Sequence, residues 1–130
     1  MNHIILIALG GAIGSSLRYM TGLATAHIFE QSKVITGTVI SNGIGCLFGG
    51  ILLGWISESE SISESLNLFL TIGLLGSYTT FSAFTLEVTQ LIKESWQKLM
   101  SYLFLQLMGA FILTAIGFIL NIYFLGGVGG

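Results

Sequence analysis

Charged residues are scarce in this chain, and their scarcity excludes a soluble domain. Only 8% of its 130 residues are charged and 53% are hydrophobic, whereas a soluble domain carries about 25% charged residues. So few charges cannot cover a surface that faces water. The formal net charge of -2 is also too small to indicate a nucleic-acid partner. The composition therefore predicts a membrane protein embedded in a lipid bilayer.

Cysteine, proline and the common catalytic motifs are also rare or missing. A single cysteine, Cys46, excludes an internal disulfide and is too little for a metal cluster, so we interpret it as a small helix-packing residue. HExxH, GxSxG and CxxC motifs are absent, and neither His3 nor His27 has a partner at metal-ligand spacing. The sequence therefore does not favour an enzyme. Proline is absent, but the 18 glycines suit close packing of membrane helices.

Four apolar segments are long enough to cross a bilayer, which takes about 20 residues. Their predicted bounds are 3–28, 34–56, 66–92 and 99–124. The connections are short, so residues 1–130 are predicted to form a single four-helix transmembrane domain. No basic region precedes the first segment, and we interpret it as a retained span rather than a signal peptide. The ending LGGVGG is interpreted as a frayed tail.

Basic residues give only a weak indication of orientation. Lys33, Lys93 and Lys98 lie in or near the first and third loops, which share one side and would be cytoplasmic. So weak a bias is compatible with insertion in both directions. Four helices also leave little room for a water-filled path, so we predict a homodimer whose interface carries any transport. Glycines one turn apart suit either intrachain or dimer packing: Gly10 and Gly14, Gly45 and Gly49, Gly50 and Gly54.

A cluster of hydroxyl groups interrupts the third span in the stretch GLLGSYTTFSAFTLE, residues 73–87. Gly73 and Gly76 weaken the helix there, and serine and threonine compete for backbone hydrogen bonds. A break near the middle of the bilayer is therefore predicted, and such breaks occur where the freed backbone lines a cavity or binds an ion. Freed carbonyls beside hydroxyls suit a hard cation such as Na⁺. The alternative that the hydroxyls bond back to their own helix stays open.

Aromatic and amide side chains indicate a second kind of site. Phe81 and Phe84 are three residues apart and share a helix face, and the positive edges of their rings would attract an anion. Thr80, Ser82 and the amide of Asn42 can donate hydrogen bonds to the same anion. Plain packing of the two rings is the alternative.

Two charged residues fall within the predicted spans. Arg18 either extends to the interface or holds positive potential in an aqueous vestibule. Glu87 is either a pathway residue or a solvated carboxylate near the end of its helix. Polar residues inside a span indicate function by default, because they are costly there.

Three stretches together resemble the Fluc (CrcB) fluoride channel family: GGAIGSSLRY, GTVISNGIGCLFGG and GLLGSYTTFSAFTLE. The resemblance covers the whole chain. It implies an all-α integral membrane protein with four transmembrane helices, the third broken near the midplane. It also implies an antiparallel, dual-topology homodimer with two pores along its interface. Such a channel would export fluoride passively across the bacterial plasma (inner) membrane and lower its toxicity.

The resemblance assigns roles to ten residues at the positions that match the family's motifs. Those that would line the fluoride pore are Asn42, Thr80, Phe81, Ser82, Phe84, Glu87 and Tyr102. Arg18 would lie near the vestibule. The backbone carbonyls of Gly76 and Thr79 would hold a structural Na⁺ that is not transported.

Four positions depart from the family's usual residues: Ser41, Ser77, Ala83 and Gln106. The missing hydroxyl at Ala83 and the larger Gln106 would affect conductance more than selectivity. The alternative function is a small multidrug-type, proton-coupled four-helix transporter. Such a transporter needs a carboxylate deep in the bundle, and only Glu87, on the third span, is a candidate.

Overall fold

The computed structural model describes residues 2–58 and 62–125, apart from the side chain of Leu125. Among these residues, four helical segments are long and apolar enough to cross a membrane: Asn2–Ile28, Gly37–Glu58, Glu64–Glu94 and Trp96–Phe124. The four predicted spans are confirmed, and the largest errors in their bounds are at the starts of the second and fourth. The predicted tail beyond Leu125 lies outside the described residues, as do residues 59–61 in the connection between the second and third spans.

Two of the spans are interrupted or change their helical type. The first two are the plain helices α1 (Asn2–Ile28) and α2 (Gly37–Glu58). The third span comprises α3 (Glu64–Leu68), the π-helical stretch Phe69–Leu75, α4 (Gly76–Tyr78) and α5 (Ser82–Glu94). The fourth is α6 (Trp96–Leu120), which continues as the π-helical stretch Asn121–Leu125. The predicted interruption of the third helix is confirmed, and it occupies residues 79–81.

Serine side chains fix two of the helix starts. The Ser63 hydroxyl accepts a hydrogen bond from the Leu66 N–H at 3.2 Å and caps α3. Ser95 caps α6 in the same way and is the only residue between α5 and α6. Capping of this kind satisfies an N–H that has no partner within the helix. The connection after the third span is therefore shorter than the sequence indicated.

Glycines allow the backbones of neighbouring helices to touch. A Cβ added to Gly10 would lie 2.6 Å from the Phe69 carbonyl oxygen, so α1 packs directly on the π-helical stretch. Added Cβ atoms at Gly50 and Gly117 would overlap the backbone of the facing helix, which joins α2 to α6. Gly49 has no atom near its missing Cβ. Most of the glycine pairs therefore serve packing within the chain.

Few large apolar side chains are buried within the described part of the chain. They are Tyr78, Leu91, Leu99 and Tyr102. In contrast, side chains such as Phe104 and Phe111 are two-thirds or more exposed along α6. An apolar outer surface of this kind suits lipid as the surrounding solvent. The few buried side chains leave most of the contact between helices to backbone and small residues.

An ion-pair cluster ties the first connection to the end of the third span. The Lys33 ammonium lies 2.7 Å from a carboxylate oxygen of Glu94, and the Lys98 ammonium lies 3.1 Å from the same oxygen. All three side chains are at least one-third exposed, so the pairs contribute little stability. Their position places the first and third connections together at one end of the bundle, as the alternation of four spans requires.

Candidate functional site

The break in the third helix is held by a side chain from another helix. Thr79 leaves the helical conformation with φ -81° and ψ 157°. The next N–H, that of Thr80, donates to Oδ1 of Asn42 at 2.8 Å, and Nδ2 of Asn42 donates back to the Thr80 carbonyl at 3.1 Å. In an unbroken helix the Thr80 N–H would bond the carbonyl of Gly76. The side chain of Asn42 on α2 therefore replaces one backbone hydrogen bond of the third helix.

The hydroxyl groups around the break have three different kinds of partner. The Thr79 hydroxyl donates back to the Leu75 carbonyl of its own helix at 2.9 Å. The Thr80 hydroxyl instead accepts from the Ala83 N–H at 3.2 Å and caps α5. Tyr78 reaches across to α1, where its hydroxyl lies 3.0 Å from that of Thr21. Of these three hydroxyl groups, only that of Thr79 bonds back to its own helix, the alternative that the sequence left open.

Asn42 is also the first member of a chain of polar side chains that links α2 to α6. Its Nδ2 donates to Oε1 of Gln106 at 3.4 Å, and Nε2 of Gln106 donates to the Tyr102 hydroxyl at 3.1 Å. Tyr102 is fully buried and Gln106 is 9% exposed. The larger side chain at Gln106 thus bridges the amide and the tyrosine, because one turn of α6 separates it from Tyr102.

Glu87 ends this polar chain and accepts three hydroxyl hydrogen bonds. Tyr102 donates to its Oε2 at 2.6 Å, Thr36 donates to the same oxygen at 2.8 Å, and Thr38 donates to Oε1 at 2.7 Å. Glu87 therefore joins α5 to α6 and to the start of α2 through hydroxyl groups, and it has no salt bridge within the described part of the chain.

Three aromatic rings lie in a row beside the polar chain. The ring centroids of Phe81 and Phe84 are 5.6 Å apart with a 36° tilt, and those of Phe84 and Tyr102 are 5.9 Å apart and nearly parallel at 16°. Stacking engages the faces of the rings and leaves their positive edges pointing sideways. Phe81 itself is 75% exposed, so one end of the row is open at the surface of the chain.

A polar cavity of about 380 Å³ lies next to the break. Its walls include Arg18 of α1, Thr80 and Ser82 at the break, and Glu87 of α5. Arg18 has no ion-pair partner among the residues that the structure describes. The cavity thus has the Arg18 side chain on one wall and the hydroxyl-bound carboxylate of Glu87 on another.

The structure divides the predicted site residues into three adjoining groups. The polar cavity collects Arg18, Thr80, Ser82 and Glu87. Asn42 and Tyr102 belong to the chain of hydrogen-bonded polar side chains. Phe81 and Phe84 form the aromatic row together with Tyr102. Gly76 begins the last helical turn before the break, and Thr79 is the first residue of the break. In the described part of the chain, no group of three or more His, Cys, Asp and Glu side chains could hold a metal.

Sequence reasoning missed two threonines that contact the site. Thr36 and Thr38 bind Glu87 although they lie 51 and 49 residues before it in the chain. A signal was present, because an acid within a span needs donors and two hydroxyls flank Gly37 where the second span begins. Thr21, the partner of Tyr78, was missed as well and carries no comparable signal.

Comparison with known proteins shows the family of the chain. The family described as "CrcB-like protein, Camphor Resistance (CrcB)" matches residues 5–118. A "Fluoride-specific ion channel FluC" of Chloroflexus aurantiacus is 42% identical over 118 residues, covering 90% of this chain and 93% of the relative. Proteins of the same name from Flavobacterium psychrophilum and Haemophilus influenzae are 40% and 38% identical over 82% and 90% of this chain, and 85% and 91% of the relatives. The chain belongs to the CrcB-like protein family.

Proposed function

We propose that this chain is a fluoride-selective channel that lets the anion leave the cytoplasm passively and so lowers its toxicity. The observation that carries the proposal is the 42% identity, over 90% of this chain, to a protein named as a fluoride-specific ion channel. The four apolar helices supply the multi-pass membrane setting. We place the channel in the bacterial plasma membrane, where fluoride that enters as HF and ionises inside has to be expelled.

The site has the chemistry that a small, strongly hydrated anion needs. A pore must replace the ion's water with donors and yet bind it loosely enough to release it. Ring edges of Phe81 and Phe84 supply weak positive potential, and the amide of Asn42 supplies N–H groups. One of these N–H groups bonds Oε1 of Gln106 at 3.4 Å. This is the longest hydrogen bond among the polar side chains that link Asn42 to Glu87, and fluoride would replace it first.

The comparisons favour a channel over a proton-coupled transporter. The relatives reported above are named as fluoride-specific ion channels, and they give no support to the multidrug-type transporter. Glu87, the acid that such a transporter would need, accepts hydrogen bonds from Thr36, Thr38 and Tyr102 and lies in the wall of the polar cavity.

The proposal includes an antiparallel homodimer of dual topology. Phe81 is 75% exposed in the single chain, and a second copy would cover it and complete the path. The few lysines give each copy little preference for one orientation. Labelling of a C-terminal tag from both sides of the membrane, together with crosslinking to a dimer, would support this arrangement. A tag on one side only would contradict dual topology.

The proposal also includes a structural Na⁺ at the break. The Gly76 carbonyl is left without its helical donor because the Thr80 N–H bonds Asn42 instead. Carbonyl oxygens of Gly76 and Thr79 suit a hard cation, and the same groups from a second copy would complete the shell. Replacing Na⁺ by a large organic cation during purification should lower the melting midpoint. An unchanged midpoint and unchanged flux would remove the ion from the proposal.

Reconstitution tests the function directly. The purified protein in liposomes should release fluoride to a selective electrode when a potassium ionophore balances the charge. Chloride-loaded liposomes run in parallel should release little. Efflux only under an imposed proton gradient, or equal efflux of both anions, would contradict a passive fluoride-selective channel.

A further inference from the structure

A second cavity is lined by none of the predicted pore residues, although Leu75 and Tyr78, which precede the break, lie in its wall. Its volume is about 880 Å³, and it runs between α1, α2 and the π-helical stretch of the third span. Apolar side chains form most of its walls, including Leu17, Ile44, Phe48, Leu70 and Leu74. We call this cavity the apolar groove. Its walls suit a hydrocarbon chain rather than a hydrated ion.

The apolar groove has a polar end near the last turns of α2 and α6. Asn121 lies in its wall and is 2% exposed. Its Oδ1 has no hydrogen-bond partner among the residues that the structure describes. A buried acceptor without a donor is costly, so this atom points to a donor from outside the described residues.

Glu58 makes the same end negative. It also lies in the wall of the groove, where α2 ends. Asn121 lies level with Gly54, whose added Cβ would be 2.9 Å from Oδ1 of Asn121. The axial rise from Gly54 to Glu58 is about 6 Å. One small cationic group between the two side chains can therefore reach both.

The charges on this side of the bundle favour a cationic rather than an anionic group. The chain's four basic residues are Arg18, Lys33, Lys93 and Lys98. The three lysines lie at or beside the first and third connections, on the opposite side from Glu58. An anionic headgroup would meet carboxylates here and no basic side chain to pair with.

We propose that the apolar groove binds one lipid with a primary ammonium headgroup, of the phosphatidylethanolamine type. Its ammonium would donate to Oδ1 of Asn121 and pair with Glu58, while one acyl chain fills the groove. The rise along α2 from Ile44 to Glu58 is about 21 Å, and half of the bilayer's hydrocarbon core is about 15 Å. The groove is therefore long enough for an acyl chain that starts at the interface.

Lipid titration tests the proposal independently of fluoride flux. Native mass spectrometry of the purified, detergent-solubilised protein would measure binding of phosphatidylethanolamine, phosphatidylcholine and phosphatidylglycerol with identical acyl chains. Phosphatidylcholine has the same net charge as phosphatidylethanolamine but no N–H donor. We expect phosphatidylethanolamine to bind about fivefold tighter than phosphatidylcholine, the ratio for one hydrogen bond of about 1 kcal/mol.

Variants locate the site. Asn121→Leu should abolish the preference and Glu58→Gln should weaken it, whereas the control Glu64→Gln, an acid at the start of α3 that is absent from the wall, should keep it. If Asn121→Leu does not fold, Asn121→Asp retains an acceptor and should strengthen the preference.

Three results would overturn the proposal. Equal binding of phosphatidylethanolamine and phosphatidylcholine to the parent protein would mean that only acyl chains are recognised. Retention of the preference in Asn121→Leu would place the headgroup elsewhere. Efficient disulfide crosslinking of two copies through Phe48→Cys, in a Cys46→Ser background, would show that a second chain fills the groove.

Discussion

Asn42→Asp separates the role of the Asn42 amide from the role of its shape. Asparagine donates from Nδ2 to the Thr80 carbonyl at 3.1 Å and to Oε1 of Gln106 at 3.4 Å. Aspartate has nearly the same volume but places a carboxylate oxygen against these two acceptors. The bond that Oδ1 accepts from the Thr80 N–H at 2.8 Å can persist. The change therefore removes two donors and retains one acceptor.

The expected loss of stability follows from these contacts. Each interhelical hydrogen bond in a membrane protein contributes about 0.6–1.7 kcal/mol. An acceptor left unpaired in a buried position costs about 1–3 kcal/mol. Because Asn42 is only half-buried, we expect these costs to lie in the lower part of their ranges. The free energy of unfolding should therefore fall by about 2–4 kcal/mol. Fluoride efflux should fall at least tenfold, because a carboxylate then faces the proposed path of the anion.

Unfolding in mixed micelles and efflux from liposomes measure the two effects separately. Ser41→Ala is a matched control on the same helix, since its fully buried hydroxyl donates only to the Thr38 carbonyl of its own helix at 3.3 Å. We expect that control to cost less than about 1 kcal/mol and to keep its flux. Parental stability and parental flux in Asn42→Asp would refute both the bonding at the break and the assigned path.

Other substitutions test the packing and the aromatic row. Gly50→Ala should cost about 1–3 kcal/mol, since its Cβ would overlap the backbone of α6, while Gly49→Ala should be neutral or stabilising by up to about 1 kcal/mol; equal midpoints would contradict the packing. Phe81→Ile should abolish most fluoride flux, because it removes the ring edges, and it should cost the fold of the single chain less than about 1 kcal/mol, since the ring is 75% exposed there. Phe84→Ile should lose flux and also about 0.5–1.5 kcal/mol of aromatic stacking, and parental flux in both would exclude the rings from the path. Tyr78→Phe should cost about 0.6–1.7 kcal/mol by removing its bond to α1, and an unchanged midpoint would contradict that bond.

The sequence predicted the four spans because length and hydropathy decide them locally. It also predicted a break in the third span, because glycines and hydroxyls that weaken a helix are close together there. The position of the break at Thr79 to Phe81 was less accessible. That position depends on Asn42, which lies 38 residues earlier and takes the Thr80 N–H. No pattern within the third span records that bond.

The contacts around Glu87 show the same limit. Its donors Thr38 and Tyr102 come from two other helices, and Thr36 directly precedes α2. The rotation of α2 and α6 about their axes decides whether these hydroxyls face the acid. Sequence spacing fixes which residues share a face but not which neighbour that face meets. Gly45 and Gly49 illustrate the point, since Gly45 packs on Thr79, whereas a Cβ added at Gly49 would meet no other atom. Both residues are glycines, one turn apart on the same helix, so the sequence does not show which of them packs against a neighbour.

The bonding at the break also has a consequence for the order in which the chain is made. Asn42 enters the membrane before the third span, so the side chain that replaces a helical rung is already present when Thr80 arrives. Gln106 and Tyr102 arrive last and close the network onto Asn42 and Glu87. The earlier helix α2 therefore supplies the bonds that fix the break, and the later helix α6 adds the bonds to Asn42 and Glu87. A nascent chain that stops before α6 would keep both Asn42–Thr80 bonds but lack the bonds from Gln106 to Asn42 and from Tyr102 to Glu87.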